Sequence, residues 1–212
     1  MNSSFWLHKW EKNDIGFHKS EANPALVQYL GELSLLTGSR VFVPLCGKTL
    51  DIHWLLAEGY RVAGAELVEI AVEQLFNELG VEPEISRVDG TKLYSAQDID
   101  IFVGNILDLS GKNLGVVDAI YDRAALVALP DVTRDRYTTH LKKITDRASQ
   151  LLITFEYDQN LMEGPPFSIS SEKVNRYYSD SYDLTLIDRT DVVGGLKEKC
   201  AAKENVWLLK KR

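Results

Sequence analysis

Arg40-Val41-Phe42-Val43-Pro44-Leu45-Cys46-Gly47-Lys48-Thr49-Leu50-Asp51 is the stretch that decides the fold. An apolar, β-branched run breaks at one glycine and resumes with helical periodicity, the pattern of a buried strand, a tight turn and a helix. The helix, 49–58, carries Ile52, Leu55 and Leu56 and stops at Gly59. A second strand, 61–65, follows and ends in Glu66, nineteen residues after Gly47. A carboxylate at that distance, at the tip of the next strand, is where a nucleotide-binding α/β fold grips a ribose diol. The stretch therefore predicts a cofactor that contains adenosine.

Working outward, the alternation continues. A helix over 69–79 stops at Gly80, strands are predicted at 99–103 and 117–121, and a long helix runs over 132–147. A strand at 150–156, a short helix at 171–178 capped by Ser170 or Ser171, and strands at 182–188 and 206–210 complete the chain. Strands alternating with helices at these spacings predict the α/β class with a doubly wound, mostly parallel, seven-stranded sheet. The last two strands have no long helix between them, which predicts an antiparallel hairpin at one edge. Residues 1–38 stand outside this alternation. They hold Trp6, Trp10, Phe17 and His18, then a helix from about 23 to 36, and read as an aromatic lid on a core of 39–212 within a single domain of 1–212.

The 212 residues suffice for one self-supporting core. A net charge of −7 argues against a nucleic-acid partner, which requires clustered cations. No apolar run approaches the ~20 residues of a membrane span, and the first residues lack a cationic region followed by an apolar one, so the expected location is the cytoplasm. The two cysteines, Cys46 and Cys200, are expected to be reduced, with Cys46 a small residue packed in the turn rather than a nucleophile. With no long exposed apolar strip, a monomer is expected. His8, His53 and His140 show no metal-ligand spacing, so no metal is expected.

Gly47-Lys48-Thr49 resembles the end of a phosphate-binding loop, but that loop needs a glycine where Phe42 stands. A dinucleotide turn needs three glycines, and only Gly47 is present. S-adenosylmethionine carries no phosphate, and its sulfonium favours nearby carboxylates, so it suits a glycine-poor loop followed by Glu66 better than NAD does. The run Asp118-Ala119-Ile120-Tyr121-Asp122-Arg123 reads as a strand ending in a charged pair. Ligands in open α/β sheets bind beyond the C-terminal strand ends, and Leu45, Glu66, Ile106 and Arg123 all fall there. For Arg123, ligand binding and an ion pair with Asp122 or a neighbouring helix are equally good readings on spacing alone.

Three blocks together resemble the thiopurine S-methyltransferase family, its bacterial members above all. They are Trp6-Leu7-His8-Lys9-Trp10 with Ile15-Gly16-Phe17-His18, then Val43-Pro44-Leu45-Cys46-Gly47-Lys48-Thr49-Leu50-Asp51, then Tyr121-Asp122-Arg123-Ala124-Ala125-Leu126-Val127-Ala128-Leu129. The likeness extends from Phe5 to the final Val206-Trp207-Leu208-Leu209 strand. It implies S-methylation of small aromatic and heterocyclic thiols, thiopurines included, with S-adenosylmethionine as donor and S-adenosylhomocysteine as product. Bacterial relatives are also linked to methylation of selenium and tellurium compounds. Carried over residue by residue, the cofactor contacts fall on Trp10, Leu45, Glu66, Asn105, Ile106 and Arg123, and the acceptor side on Phe17 and Arg123. No general base is implied, because an acidic aryl thiol is already a thiolate near neutral pH. Trp6 is expected to anchor the lid, and His18 to be a hydrogen-bonded structural group. Two rival readings are a methyltransferase for another acceptor atom and a non-catalytic S-adenosylmethionine-binding protein. A nicotinamide-dependent oxidoreductase would need the glycine-rich loop that this chain lacks.

Overall fold

The computed structural model describes residues 3–16 and 18–212. Its strands are β1 (Arg40–Pro44), β2 (Arg61–Glu66), β3 (Glu84–Val88), β4 (Thr91–Ala96), β5 (Ile99–Val103), β6 (Ala119–Arg123), β7 (Ser149–Glu156), β8 (Tyr182–Asp191) and β9 (Lys203–Lys211). They form one nine-stranded sheet in the order β3-β4-β5-β2-β1-β6-β7-β9-β8. The five strands from β5 to β7 pair in parallel. β9 runs antiparallel to β7 and pairs with β8, giving the predicted edge hairpin.

The expected count of seven strands is corrected to nine, because β3 and β4 form a second antiparallel hairpin on the opposite edge, against β5. β3 is almost wholly exposed, so it shows no burial pattern. The turn between these strands is Asp89-Gly90, both at positive φ, 47° and 85°, the Asp-Gly geometry that a two-residue hairpin prefers.

The helices are α1 (Ser3–Glu11), α2 (Pro24–Tyr29), α3 (Leu50–Ala57), α4 (Glu69–Leu79), α5 (Gly111–Leu114), α6 (Asp131–Ile144) and α7 (Ser171–Tyr178). Residues of α2, α3 and α4 pack with Val41, Val43, Val62 and Ile101 on one face of the sheet. Residues of α5, α6 and α7 pack with Phe42, Ala63, Ile120 and Leu152 on the other. The alternation of inward positions along each strand thus feeds two cores, as a doubly wound sheet requires. The helix predicted over 23–36 is shorter: Asn23 caps it by accepting from Ala25 N, Pro24 opens it, and a 3₁₀ turn replaces it at Leu30–Leu33. β6 starts two residues later than predicted. Asp118 Oδ2 instead accepts from the Arg40 amide at 2.6 Å, and the strand extends to Arg123.

Candidate active site

The C-terminal ends of β1, β2, β5 and β6 meet at one edge of the sheet, and the backbone there is tied together before any side chain is considered. Cys46 N donates to Ala65 O at 3.1 Å, and Gly104 N donates to Glu66 O at 2.8 Å, joining the end of β2 to the segments after β1 and β5. The turn after β1 passes through the left-handed region twice, at Leu45 (φ 50°) and Gly47 (φ 53°). A leucine held there costs roughly 1–2 kcal/mol, a strain that persists where surrounding structure enforces it.

Glu66 enforces part of it. Its Oε2 accepts from Gly47 N at 2.9 Å and its Oε1 from Val68 N at 2.8 Å. The carboxylate is buried, at 7% exposure. Burial raises its pKa, and the N–H groups of Val68, Gly47 and Leu67 oppose that rise. The carboxylate keeps acceptor capacity beyond these bonds. Gly47 is required for a further reason: a Cβ there would stand 3.0 Å from Cζ2 of Trp10. Trp10 is itself 4% exposed and packs with Val68 and Ala71, so it anchors α1 to the start of α4, with Trp6 partly buried at the margin. Trp6 packs against this cluster as an anchor, as expected, and Trp10 anchors beside it. The adjoining Cys46 thiol is buried, which pushes its pKa well up, with the Glu66 charge adding to the effect. Lys48 reaches away from the turn to Glu78 Oε1 at 2.7 Å.

At the end of β6 the two members of the charged pair part company. Asp122 is fully buried; its Oδ1 accepts from Leu126 N at 3.1 Å and its Oδ2 from the Tyr137 hydroxyl at 2.7 Å, fixing the loop after β6 to α6. Arg123 points to the other face, where its Nη1 lies 3.9 Å from Asp51 Oδ2. The ion pair is therefore with a neighbouring helix, α3, rather than with Asp122. Among the described residues the guanidinium has no other ion pair and no hydrogen bond, so its donors remain available. Asp51, 1% exposed, also accepts from Asn23 N at 2.7 Å and from the Tyr121 hydroxyl at 3.0 Å. Sequence reading placed no role on Asp51; its position at the end of the Leu45–Asp51 block is the signal that could have found it.

Burial pushes the Asp122 pKa up to about 6, against the Tyr137 hydroxyl and the amides of Leu126 and Ala125. The folded chain thus holds this proton more tightly than the unfolded chain, whose value is near 3.8. The contribution of Asp122 to stability is therefore full below the unfolded value and is lost as pH rises through the folded one. The gap of about two units corresponds to roughly 3 kcal/mol. Urea unfolding of Asp122→Asn should show a flatter stability profile between about pH 4 and pH 6 than the parent; parallel profiles would refute the assignment.

After β5, Asn105 Oδ1 accepts from Leu107 N at 3.2 Å and caps a 3₁₀ turn. Ile106 is 3% exposed and its side chain belongs to the core under α6. Between α1 and the start of α4 lies an open cleft of ≈ 280 Å³ lined by Ser4, Leu7, Leu67, Val68 and Glu69. Sequence reading missed these lining residues. Leu45 is half-buried at the turn, and Phe17 lies outside the described residues. His18 departs from expectation: among the described residues its Nδ1 is buried without a hydrogen-bond partner, and burial, then Lys48, lowers its pKa.

Among the described residues no helix is long and apolar enough to cross a membrane, and no three His, Cys, Asp or Glu residues could hold a metal.

The residues gathered here suit S-adenosylmethionine. Arg123 offers unused donors to a carboxylate, and Glu66 offers acceptor capacity to a diol. A model of the family described as "Thiopurine S-methyltransferase (TPMT)" matches residues 1–212. A thiopurine S-methyltransferase of Teredinibacter turnerae is 53% identical over 99% of this chain and 97% of its own. One of Xanthobacter autotrophicus is 52% identical over 100% of both. Among solved structures, Burkholderia thailandensis 1,6-didemethyltoxoflavin-N1-methyltransferase, with bound S-adenosylhomocysteine, superposes with TM-score 0.67 at 14% identity, over 99% of this chain and 87% of that one. Magnesium protoporphyrin IX methyltransferase of Synechocystis gives 0.65 at 12% identity over 100% of both. Those structures share the fold; the sequence relatives and the full-length match show that the chain belongs to the thiopurine S-methyltransferase family of S-adenosylmethionine-dependent methyltransferases.

Proposed function

We propose that the chain S-methylates small aromatic and heterocyclic thiols, thiopurines among them, by direct in-line transfer to a thiolate. The same displacement extends to comparably soft selenium and tellurium nucleophiles. The observation that carries this reading is the convergence of Glu66, Arg123 and the strained Leu45–Gly47 turn at adjoining strand ends, beneath a buried Trp10.

Bound S-adenosylmethionine supplies an electrophilic methyl group on a sulfonium. The chain's own part is to hold and align. Arg123 pairs with the methionine carboxylate and borders the acceptor. Glu66 accepts from the ribose hydroxyls while keeping the turn closed through Gly47 N. Asn105, Ile106 and Leu45 border the adenine, with the side chain of Ile106 committed to the core and its backbone left for contact. Trp10 covers the methionine end, and Phe17 closes the acceptor side of a lid formed by residues 1–38. Opposite charges cancel as thiolate and sulfonium approach, so a site that excludes water favours the reaction, and fixed alignment supplies much of the rest. A thiolate needs no base.

Labelled methyl transfer to 6-mercaptopurine tests this. The parent should turn over, and Glu66→Gln and Glu66→Ala should weaken cofactor binding by roughly 1–3 kcal/mol, the scale of a hydrogen bond to a charged group. Glu66→Ala should also lower the melting temperature, because the turn loses its acceptor. Unchanged affinity by calorimetry in both variants would remove the ribose assignment; a parent inactive on every thiol would shift the reading to another acceptor atom.

A further inference from the structure

Glu204 is a half-buried carboxylate to which nothing above gives a role. Among the described residues it makes no hydrogen bond and no ion pair, which is costly for a charge held partly out of water. The sheet register locates it. Arg123 pairs with Ile153, and Ile153 pairs with Val206. Glu204 lies two residues from Val206, opposite Phe155, two residues further toward the C-terminal end of β7. Side chains on one strand alternate between faces, so Glu204 shares the face of Val206, which packs with Tyr121 and Ile153 in the same core as α2 and α3. Arg123 emerges on that face too, because its ion pair is with α3. The groups that act electrostatically on Glu204 are Arg123 and Lys19, which favour its charge, and Asp188, which opposes it, while burial raises its pKa. Glu204 in turn acts on the Tyr121 hydroxyl, beside Asp51. The carboxylate thus stands two strands from Arg123, on the side of the sheet away from Glu66.

We infer that Glu204 sets the charge preference of the acceptor subsite: it disfavours thiols that carry an anionic substituent on the ring and favours neutral ones or those with a ring N–H. This rests on the proposed acceptor site beside Arg123. An unpaired carboxylate on the Arg123 side of the sheet repels a second negative charge brought to Arg123 with the substrate, and its free lone pairs accept a hydrogen bond from a heterocyclic N–H. Glu204 acts on selection rather than on the transfer itself, so the ratio between substrates is the informative quantity.

The test compares thiophenol with 4-mercaptobenzoate, using the full chain with S-adenosylmethionine. Glu204→Gln should raise kcat/KM for 4-mercaptobenzoate relative to thiophenol about tenfold or more, mainly through KM, with cofactor affinity by calorimetry unchanged. Glu204→Ala should move the ratio the same way, which guards against a peculiarity of either variant. An unchanged ratio in folded variants that still methylate thiophenol would overturn this inference alone. A parent that methylates no thiol would overturn the acceptor reading and this inference with it.

Discussion

Arg123→Ala should bind S-adenosylmethionine at least a hundredfold more weakly than the parent while unfolding within a few degrees of it. The asymmetry follows from how the guanidinium is held. Its one ion pair is long, 3.9 Å to Asp51, so the fold gains little from it. Its donors are nonetheless largely removed from water, the side chain being 13% exposed. Truncating one partner of a desolvated charge pair typically costs 2–5 kcal/mol, and here that loss falls on the ligand carboxylate. Arg123→Lys should recover only part of it, because a point charge does not reproduce a planar fork of donors. Isothermal titration beside thermal melting separates the two quantities. A variant that melts far below the parent, with cofactor affinity retained by its folded fraction, would return Arg123 to a purely structural role.

Asp51→Ala should show the reverse pattern, a loss of about 3–5 kcal/mol in folding stability, the range for breaking a buried charged network. Asp51 gathers a backbone amide from the N-terminal segment (Asn23), a hydroxyl from β6 (Tyr121) and the nearby charge of Arg123, all at 1% exposure. Removing it strands two buried donors and takes from Arg123 its ion-pair partner. Asp51→Asn keeps an acceptor for Asn23 N and should lose less. Urea unfolding of the two variants should rank them in that order; equal stability to the parent would show that the network contributes nothing net.

Much of this was legible in the sequence for a definite reason. The parallel strands are apolar on both faces, and their helices end at Gly59 and Gly80, so period and punctuation agree. The positions of Leu45, Glu66 and Arg123 at strand ends follow from that alternation alone. What was not legible depends on direction rather than type. Whether Arg123 meets Asp122 or Asp51 depends on which face each side chain takes at the end of β6. The predicted strand ended at Tyr121, so the alternation that sends adjacent residues to opposite faces was not carried on to Asp122 and Arg123. The β3–β4 hairpin lacked a burial pattern because one of its strands faces solvent almost throughout, although the Asp89-Gly90 pair marked its turn. Glu204 was hidden because its significance arises two strands away, across β7.

The contact between Trp10 and Gly47 bears on the timing of order. A segment that covers a site can be arranged when the chain folds or when the ligand arrives, and the entropy of arranging it is then charged to different equilibria. Here the indole already rests on the one residue of the turn without a side chain, and Asn23 is already bonded to α3 through Asp51. Trp10 and Asn23 are thus placed at folding, and a ligand that meets them is relieved of the entropy of ordering them.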